Sequence, residues 1–177
     1  MTARHIYIDE TKERGYVLVA SIHLSSDVET MRKTMRRLVL RGQSRIHMAK
    51  ESDFRRREIA DTICAAGVTA TIYDAGRRHT SQLAARAACL QAVIDDVEAG
   101  QQTLLVLEQD DSLIHWDKQR LIEMVRAAGC RDTLRYEHHR AKTELLLAVP
   151  DAIAWCWARG GQWRERISAV AATVKQV

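Results

Sequence analysis

The sequence predicts an α/β protein in which helices flank a mixed sheet. Two apolar segments near the start, residues 5–9 and 16–24, read as strands separated only by the turn-forming cluster 11–15, so an antiparallel hairpin is expected. Helical and extended patterns then alternate along the chain, which is the order typical of α/β domains. We find no internal repeat and no linker, and 177 residues suffice for one core. A single domain over residues 1–177 is therefore expected.

After the hairpin, ten elements are predicted in order. They are a helix between Ser26 and Gly42, a strand at 45–48, a helix at 52–66, a strand at 68–73, a helix at 80–99, a strand at 103–107, a helix at 116–128, a strand at 133–137, and helices at 151–159 and 163–177. Glycines at 42, 67, 100 and 129 mark the helix ends. Pro150 suits the first turn of the helix that follows it.

Apolar spacing and terminal residues support the helices. The run Ser26-Asp27-Val28-Glu29 has the form of a capping box, with Ser26 as N-cap and Glu29 three residues later. The clearest helix is 80–99, in which apolar residues recur at intervals of four and three. The last helix is expected to turn Ile167, Val170, Ala171 and Val174 inward.

Composition supports the strands and narrows the class of protein. The segment 68–73 is β-branched, and 103–107 is almost continuously apolar, as a strand buried on both faces should be. Hydrophobic residues make up 46% and charged residues 28% of the chain, which is a globular balance. No Gly-rich phosphate loop and no Gly-x-Ser-x-Gly elbow is present, so nucleotide-loop enzymes and serine hydrolases have no support.

Cysteine usage and hydropathy indicate the compartment. The four cysteines have neither a zinc-site spacing nor the density of a secreted disulfide scaffold. No run approaches 18 uncharged apolar residues, and residues 1–5 lack the apolar core of a signal peptide. We expect a cytoplasmic protein with reduced thiols and no membrane partner.

Positive charge is concentrated in one segment. The formal net charge is +4, but residues 31–57 hold ten basic and two acidic residues, so this segment carries +8 and the rest of the chain −4. A basic segment this dense can bind a polyanion by releasing its counterions. The alternative is a pair of solvated helix faces.

Carboxylates at the ends of apolar segments are the most informative positions. They are Asp9 and Glu10 after the first strand, Glu108 with Asp110 and Asp111 after 103–107, and Asp151 directly after Pro150. A buried carboxylate costs several kcal/mol unless a partner or a cation neutralises it, and oxygen ligands suit Mg²⁺ or Mn²⁺ rather than zinc. Ordinary alternatives are a turn for the first pair, a loop with an N-cap for the second group, and a helix cap for the third.

The order of these acids along the chain resembles the ribonuclease H-like superfamily. Three stretches are similar to an uncharacterised branch of it, whose members begin with a strand ending in Asp-Glu-Ser-Gly. The stretches are Ile8-Asp9-Glu10-Thr11, Arg45-Ile46-His47-Met48-Ala49-Lys50-Glu51 and Leu147-Ala148-Val149-Pro150-Asp151-Ala152-Ile153-Ala154. The chain departs from that pattern at Thr11-Lys12, at Pro150 and at Glu108, where relatives have Ser-Gly, Ala and often Asp.

The resemblance implies phosphodiester hydrolysis supported by two Mg²⁺ or Mn²⁺ ions. It assigns Asp9 as the bridging ligand, completed by Glu108 and Asp151, with Glu10 or Glu51 as a fourth acid and Asp110 as a further candidate ligand. His47 would position the water or the leaving group, or else it is a strand histidine bonded to the backbone. The candidate contacts to the nucleic-acid backbone are Arg36, Arg37, Arg41, Lys50, Arg55 and Arg56.

The expected function is that of a metal-dependent nuclease acting on DNA or RNA. The alternatives are a catalytically degraded binding module within a larger complex and a phosphohydrolase of small nucleotides. Association with a second copy of the chain or with a partner protein is a further open alternative. Trp155, Trp157 and Trp163 can stack on bases, but with one Phe in the chain, core packing is favoured. His138 and His139 either line a substrate groove or end a strand.

Overall fold

A six-stranded mixed sheet lies at the centre of the computed structural model, which describes residues 2–177. The strands are β1 (Arg4–Thr11), β2 (Tyr16–Leu24), β3 (Thr69–Gly76), β4 (Thr103–Glu108), β5 (Leu134–His139) and β6 (Thr173–Gln176), in the spatial order β5-β4-β1-β2-β3-β6. β2 runs antiparallel to both β1 and β3, whereas the β1–β4, β4–β5 and β3–β6 pairs are parallel. The predicted fold class is confirmed, and the sheet is consistent with a ribonuclease H-like description.

Helices cover both faces of this sheet. They are α1 (Val28–Leu38), α2 (Asp53–Ala65), α3 (Gln82–Asp95), α4 (Ile114–Ala127), α5 (Ala148–Arg159) and α6 (Gly161–Arg166). α1, α2, α5 and α6 share one hydrophobic cluster with Tyr7 of β1, and α3 and α4 share the other with Ile6 and Ile8. Because side chains alternate along a strand, Asp9 projects to the α5 face and Glu10 to the α3 face.

The predicted strand at 45–48 is wrong. This segment is irregular and leads into a short 3₁₀ helix, Met48–Lys50. The backbone groups of Met48 form hydrogen bonds with side chains. Its N–H donates to the Asp151 carboxylate at 2.9 Å, and its carbonyl accepts from the Arg56 guanidinium at 2.9 Å. Tertiary contacts that a single sequence does not reveal therefore replace the expected strand pairing.

The predicted C-terminal helix ends early. α6 stops at Arg166, and the chain then pairs as β6 with the edge of β3. Ile167 and Val170 are buried as expected, but Val174 is 46% exposed. The free edge of β3 explains the change, because its backbone groups find partners in β6 and in the Val170 carbonyl, which accepts from Ala70 N–H.

The predicted capping box of α1 does not form. Asp27 is the N-cap and makes no capping bond through its side chain, while the Ser26 hydroxyl donates to the Asp27 carboxylate at 3.1 Å. The helix also ends at Leu38, before Gly42. By contrast, the Ser52 hydroxyl caps α2 by accepting from Arg55 N–H, which agrees with the predicted start of that helix.

The helices are too short or too polar to span a membrane, and the cysteines form no disulfide between residues 2 and 177. Between residues 2 and 177, no helix combines the length and apolar character needed to cross a membrane. All four cysteines are free thiols, and Cys89 and Cys156 are buried.

Candidate metal and nucleic-acid site

Three of the predicted acids meet where the two central strands end. Asp9 lies near the carboxyl end of β1, and Glu108 is the last residue of β4, which runs parallel to β1. Asp151 lies in the first turn of α5, which packs across β1 and β2. The fold therefore gathers carboxylates that are up to 142 positions apart in the sequence.

Asp9 has no cationic partner in the ion pairs described for residues 2–177. Its carboxylate accepts one hydrogen bond, from the N–H of Glu10 at 2.8 Å. Desolvation raises the pKa of Asp9 well above its ordinary value, and the negative charges of Asp151, Glu10 and Glu108 add to this effect. A cation bound at Asp9 would offset this repulsion.

Asp151 is the second desolvated carboxylate. It accepts the N–H of Met48 from another segment and does not cap its own helix, so the ordinary helix-cap alternative is not what forms. Burial raises its pKa, and this outweighs the lowering effect of the Met48 hydrogen bond and of the nearby His47 and Arg45 side chains. Asp9 and Asp151 thus form an acidic pair.

Glu108 is near this pair but already has a counterion. Its carboxylate lies 2.8 Å from the guanidinium of Arg45, and both side chains are about one-third exposed. Sequence reasoning placed Arg45 in the basic segment and did not list it as a site residue. The sequence feature that could have indicated a role for Arg45 at the site is its position two residues before His47.

Glu10 projects to the other face of the sheet, but it also lines the cleft that contains Asp151 and the cleft that contains Asp9 and Glu108. Its carboxylate is 2.9 Å from the guanidinium of Arg86 and 3.6 Å from the Lys12 ammonium. Arg86 is almost fully buried and also binds Asp117 through two hydrogen bonds of 2.7 and 2.8 Å. This network was missed from the sequence, where Arg86 is one arginine within an apolar helix.

The network extends to the ends of two strands. The Tyr16 hydroxyl accepts from Arg86 at 3.2 Å, and His138 lies 3.1 Å from Asp117. His138 is buried there, which favours a structural role over lining a groove. His139 lies 2.8 Å from Glu137 on the surface.

Two further candidate acids, Asp110 and Glu51, bind side chains close to them in the sequence. Asp110 accepts the N–H and the hydroxyl of Ser112 at 2.8 and 2.6 Å, and these bonds lower its pKa in an exposed turn. Glu51 is buried, accepts from Gln43 at 2.5 Å and lies 3.5 Å from Arg55. Asp110 nevertheless lines a cleft of about 470 Å³ together with Asp9 and Glu108, whereas Glu51 lines neither this cleft nor the one beside Asp151.

A cleft of about 500 Å³ opens beside Asp151. Its walls include Lys12, His47, Trp155 and Arg159. The buried Nδ1 of His47 has no hydrogen-bond partner among residues 2–177, so the expected backbone partner is not seen at this nitrogen. The cleft therefore brings an imidazole ring and two cationic side chains close to Asp151.

Trp155 forms the aromatic wall of this cleft. The Arg56 guanidinium lies 4.4 Å and the Arg159 guanidinium 5.5 Å from its ring centroid, and the Trp163 ring meets its edge at 5.0 Å. Trp163 is buried, and Trp155 and Trp157 pack against the same core cluster. The favoured core interpretation holds for all three rings, although Trp155 also faces the cleft.

The predicted nucleic-acid contacts separate into two groups. Arg55 and Arg56 bind the protein itself: the first donates to Glu58 and to the Leu38 carbonyl, and the second to the carbonyls of Met48 and Ala49. The remaining candidates are exposed and take part in no ion pair described between residues 2 and 177; they are Arg36, Arg37, Arg41 and Lys50. Only this second group is free to meet phosphate.

The chemistry of the acidic pair fits a hard divalent cation. Across residues 2–177, no three His, Cys, Asp or Glu side chains already converge as a metal-holding group. Mg²⁺, however, is commonly bound through one or two carboxylates, with water and substrate phosphates completing its shell. Asp9 and Asp151 supply such oxygens, and Glu108 can join them if it leaves Arg45.

Comparisons with known proteins add no family to this description. No protein-family model matches the chain, and searches of curated proteins and of solved structures gave no significant match.

Proposed function

We propose that this protein is a Mg²⁺- or Mn²⁺-dependent nuclease of ribonuclease H-like type. The main support is the acidic pair: Asp9 and Asp151 come from distant parts of the chain and are both desolvated. Asp151 lines the cleft beside His47, and Asp9 lines a second cleft of about 470 Å³ together with Glu108. Asp9 has no protein cation to offset its charge in the described residues. Natural folds tolerate such repulsion at functional sites, where a ligand relieves it.

Each residue of the site has a distinct task under this proposal. Asp9 and Asp151 hold the ion, and Glu108 exchanges Arg45 for it. When bound, the ion supplies an activated water and stabilises the leaving oxygen of a phosphodiester. His47 lines the cleft and positions the water or the leaving group there. The four exposed basic side chains at positions 36, 37, 41 and 50 attract the phosphate backbone.

The proposed setting is the cytoplasm, with DNA or RNA as the partner. Four free thiols, two of them buried, support a reducing compartment. The +8 charge of residues 31–57 supports a polyanionic partner.

A cleavage panel tests the nuclease proposal. Single- and double-stranded DNA, RNA and a hybrid are incubated with Mg²⁺ or Mn²⁺ and with the wild type, Asp9→Asn or Asp151→Asn. Asp95→Asn is the matched control, because Asp95 is an exposed residue of α3 whose carboxylate accepts a hydrogen bond from the Gln91 amide. We expect cleavage by the wild type and the control and none by the two site variants. Wild-type cleavage rates in both site variants would contradict the proposal.

The second candidate is a nucleic-acid-binding module with a degraded metal site. The Arg45–Glu108 ion pair favours it, since that contact neutralises the third acid inside the protein. This function predicts no cleavage of any substrate and retained binding in the Asp9→Asn and Asp151→Asn variants. That binding should weaken steeply with salt.

A further inference from the structure

Phe54 is the only phenylalanine of the chain and is 75% exposed. It lies in the first turn of α2, and Leu40, in the loop after α1, is 51% exposed. Among the large hydrophobic side chains of residues 2–177, these two are the most exposed. Isolated exposed leucines are common, but an almost free phenyl ring within a basic segment indicates a contact surface.

Hydrogen bonds fasten the loop after α1 to the start of α2. The Arg55 guanidinium donates to the Leu38 carbonyl, and the Gln43 amide donates to Glu51 while accepting the N–H of Leu40 at 3.1 Å. Leu40 and Phe54 are therefore held on connected segments rather than on independent loops. We call Leu40, Phe54 and the exposed basic residues of segment 31–57 the Phe54 surface.

The Phe54 surface carries uncompensated positive charge. The two acids beside the ring are neutralised locally, since Asp53 lies 2.7 Å from Arg56 and Glu58 lies 2.6 Å from Arg55. The exposed basic residues of this segment that enter no described ion pair are Lys33, Arg36, Arg37, Arg41, Lys50 and Arg57. An exposed aromatic ring in a segment with such charge fits a ligand with both π-faces and anionic groups.

The same turn of α2 also reaches the cleft. Arg56, two residues after Phe54, binds the carbonyls of Met48 and Ala49 and stacks on Trp155. Trp155 lines the cleft that contains Asp151. The first turn of α2 thus carries Phe54 on one side and, on the opposite side, the Arg56 side chain that lines the cleft.

We propose that Phe54 stacks on an unpaired base, so that the Phe54 surface selects single-stranded nucleic acid over duplex. This inference rests on the proposed function and narrows its substrate. Base faces are accessible in a single strand, whereas in a duplex they are covered by neighbouring pairs. The phosphates meet the exposed arginines, which gives affinity without sequence preference.

Fluorescence anisotropy in EDTA measures binding without cleavage. Labelled single strands of DNA and RNA and the matching duplexes are titrated with the wild type, Phe54→Ala, Phe54→Tyr and Leu83→Ala. Leu83 is a matched control because it is 41% exposed on α3, on the other face of the sheet. We expect Phe54→Ala to weaken single-strand binding by roughly 5- to 100-fold, the range of one lost base stack. Duplex binding should not change, and Phe54→Tyr and Leu83→Ala should bind as the wild type does.

Salt dependence separates stacking from charge. Phe54→Ala should shift affinity equally at all salt concentrations, whereas the double change Arg36→Ala, Arg37→Ala should reduce the salt slope. Single-strand affinity in Phe54→Ala equal to that of the wild type overturns the inference, as does a wild-type preference for duplex. Intact nucleic-acid binding with a change from dimer to monomer in sedimentation assigns the surface to a second copy and also overturns it.

Failure of the inference and failure of the proposed function give different results. Single-strand binding that depends on Phe54, together with no cleavage in the separate panel, supports the inference and contradicts the nuclease. Metal-dependent cleavage without any effect of Phe54→Ala contradicts the inference alone. Absence of all nucleic-acid binding at low salt contradicts both.

Discussion

Asp9 and Glu10 are neighbours on β1, yet the two faces of the sheet treat their charges in opposite ways. Glu10 meets the buried guanidinium of Arg86, which also binds Asp117 in a bidentate contact. Asp9 meets Asp151, another acid, and no cation in the described part of the chain. The α3 face thus neutralises its acids internally, whereas on the α5 face Asp9 and Asp151 enter no described ion pair.

The pKa values record this difference. Burial alone would raise the pKa of Asp117, but the hydrogen bonds from Arg86 and His138 outweigh burial and hold it below its ordinary value. Desolvation and like charges raise the pKa of Asp9 instead. A paired buried acid contributes to stability, whereas an unpaired one lowers stability and indicates a binding site.

The largest expected effect comes from removing the internal cation. Arg86→Met leaves Asp117 and Glu10 without their partner, and we expect a loss of about 3–5 kcal/mol in the free energy of unfolding. Urea unfolding measures it, with Arg120→Met as the control, because Arg120 forms an exposed pair with Glu123 worth at most ~1 kcal/mol. Equal losses in both variants would show that the Arg86 network is no more than a surface contact.

The next largest effect is the pH dependence of the free energy of unfolding that the acidic pair causes. A folded-state pKa raised above the unfolded value gives stability that is complete below the unfolded pKa and is lost as pH rises through the folded one. Wild-type stability should therefore fall as pH rises above the ordinary 3.8 of Asp9, by up to ~1.4 kcal/mol per pH unit. Asp9→Asn should remove the part of this slope that Asp9 causes, leaving that of Asp151, and should be more stable than the wild type at neutral pH without metal. Lower stability of the variant at neutral pH would contradict the account.

A smaller effect tests the edge of the Arg86 network. Tyr16→Phe removes the hydroxyl that accepts from Arg86 at 3.2 Å, and the lost hydrogen bond should cost about 1 kcal/mol. Thermal and urea unfolding measure the change. The cleavage activity should stay at the wild-type level, because Tyr16 is on the α3 side of the sheet.

The smallest change in stability is expected for Arg45→Met. The Arg45–Glu108 pair is about one-third exposed, so its loss should cost no more than ~1 kcal/mol. Glu108 then becomes available as a ligand, and we expect tighter Mn²⁺ binding, measured by isothermal titration. Weaker Mn²⁺ binding would mean that Arg45 supports the site rather than competes for Glu108.

The sequence predicted the fold where local patterns and tertiary pairing agree. Alternation and apolar runs located β1, β2 and β4, and the spacing of apolar residues located α3. The pattern 167–174 looks helical, but the open edge of β3 offers hydrogen bonds that draw residues 173–176 into a strand. Edge pairing of this kind depends on a distant segment, so no local window contains it.

The sequence predicted which edge of the sheet holds the candidate site, but it did not predict which acids form ion pairs there. Strand ends and a helix start carry Asp9, Glu108 and Asp151, so topology alone predicts that these acids converge. Which acid receives an arginine depends on side chains of other elements, such as Arg86 of α3 and Arg45 of the loop before α2. For this reason Glu10 and Glu51 could not be separated from Asp9 by sequence alone.

Mn²⁺ binding to the acidic pair tests the central claim most directly. The free Mn²⁺ signal in electron paramagnetic resonance is titrated with the wild type, Asp9→Asn, Asp151→Asn and the Asp95→Asn control. The account predicts that the wild type and the control remove the free-ion signal saturably, while both site variants leave it unchanged. Binding by Asp9→Asn and Asp151→Asn equal to that of the wild type would contradict it.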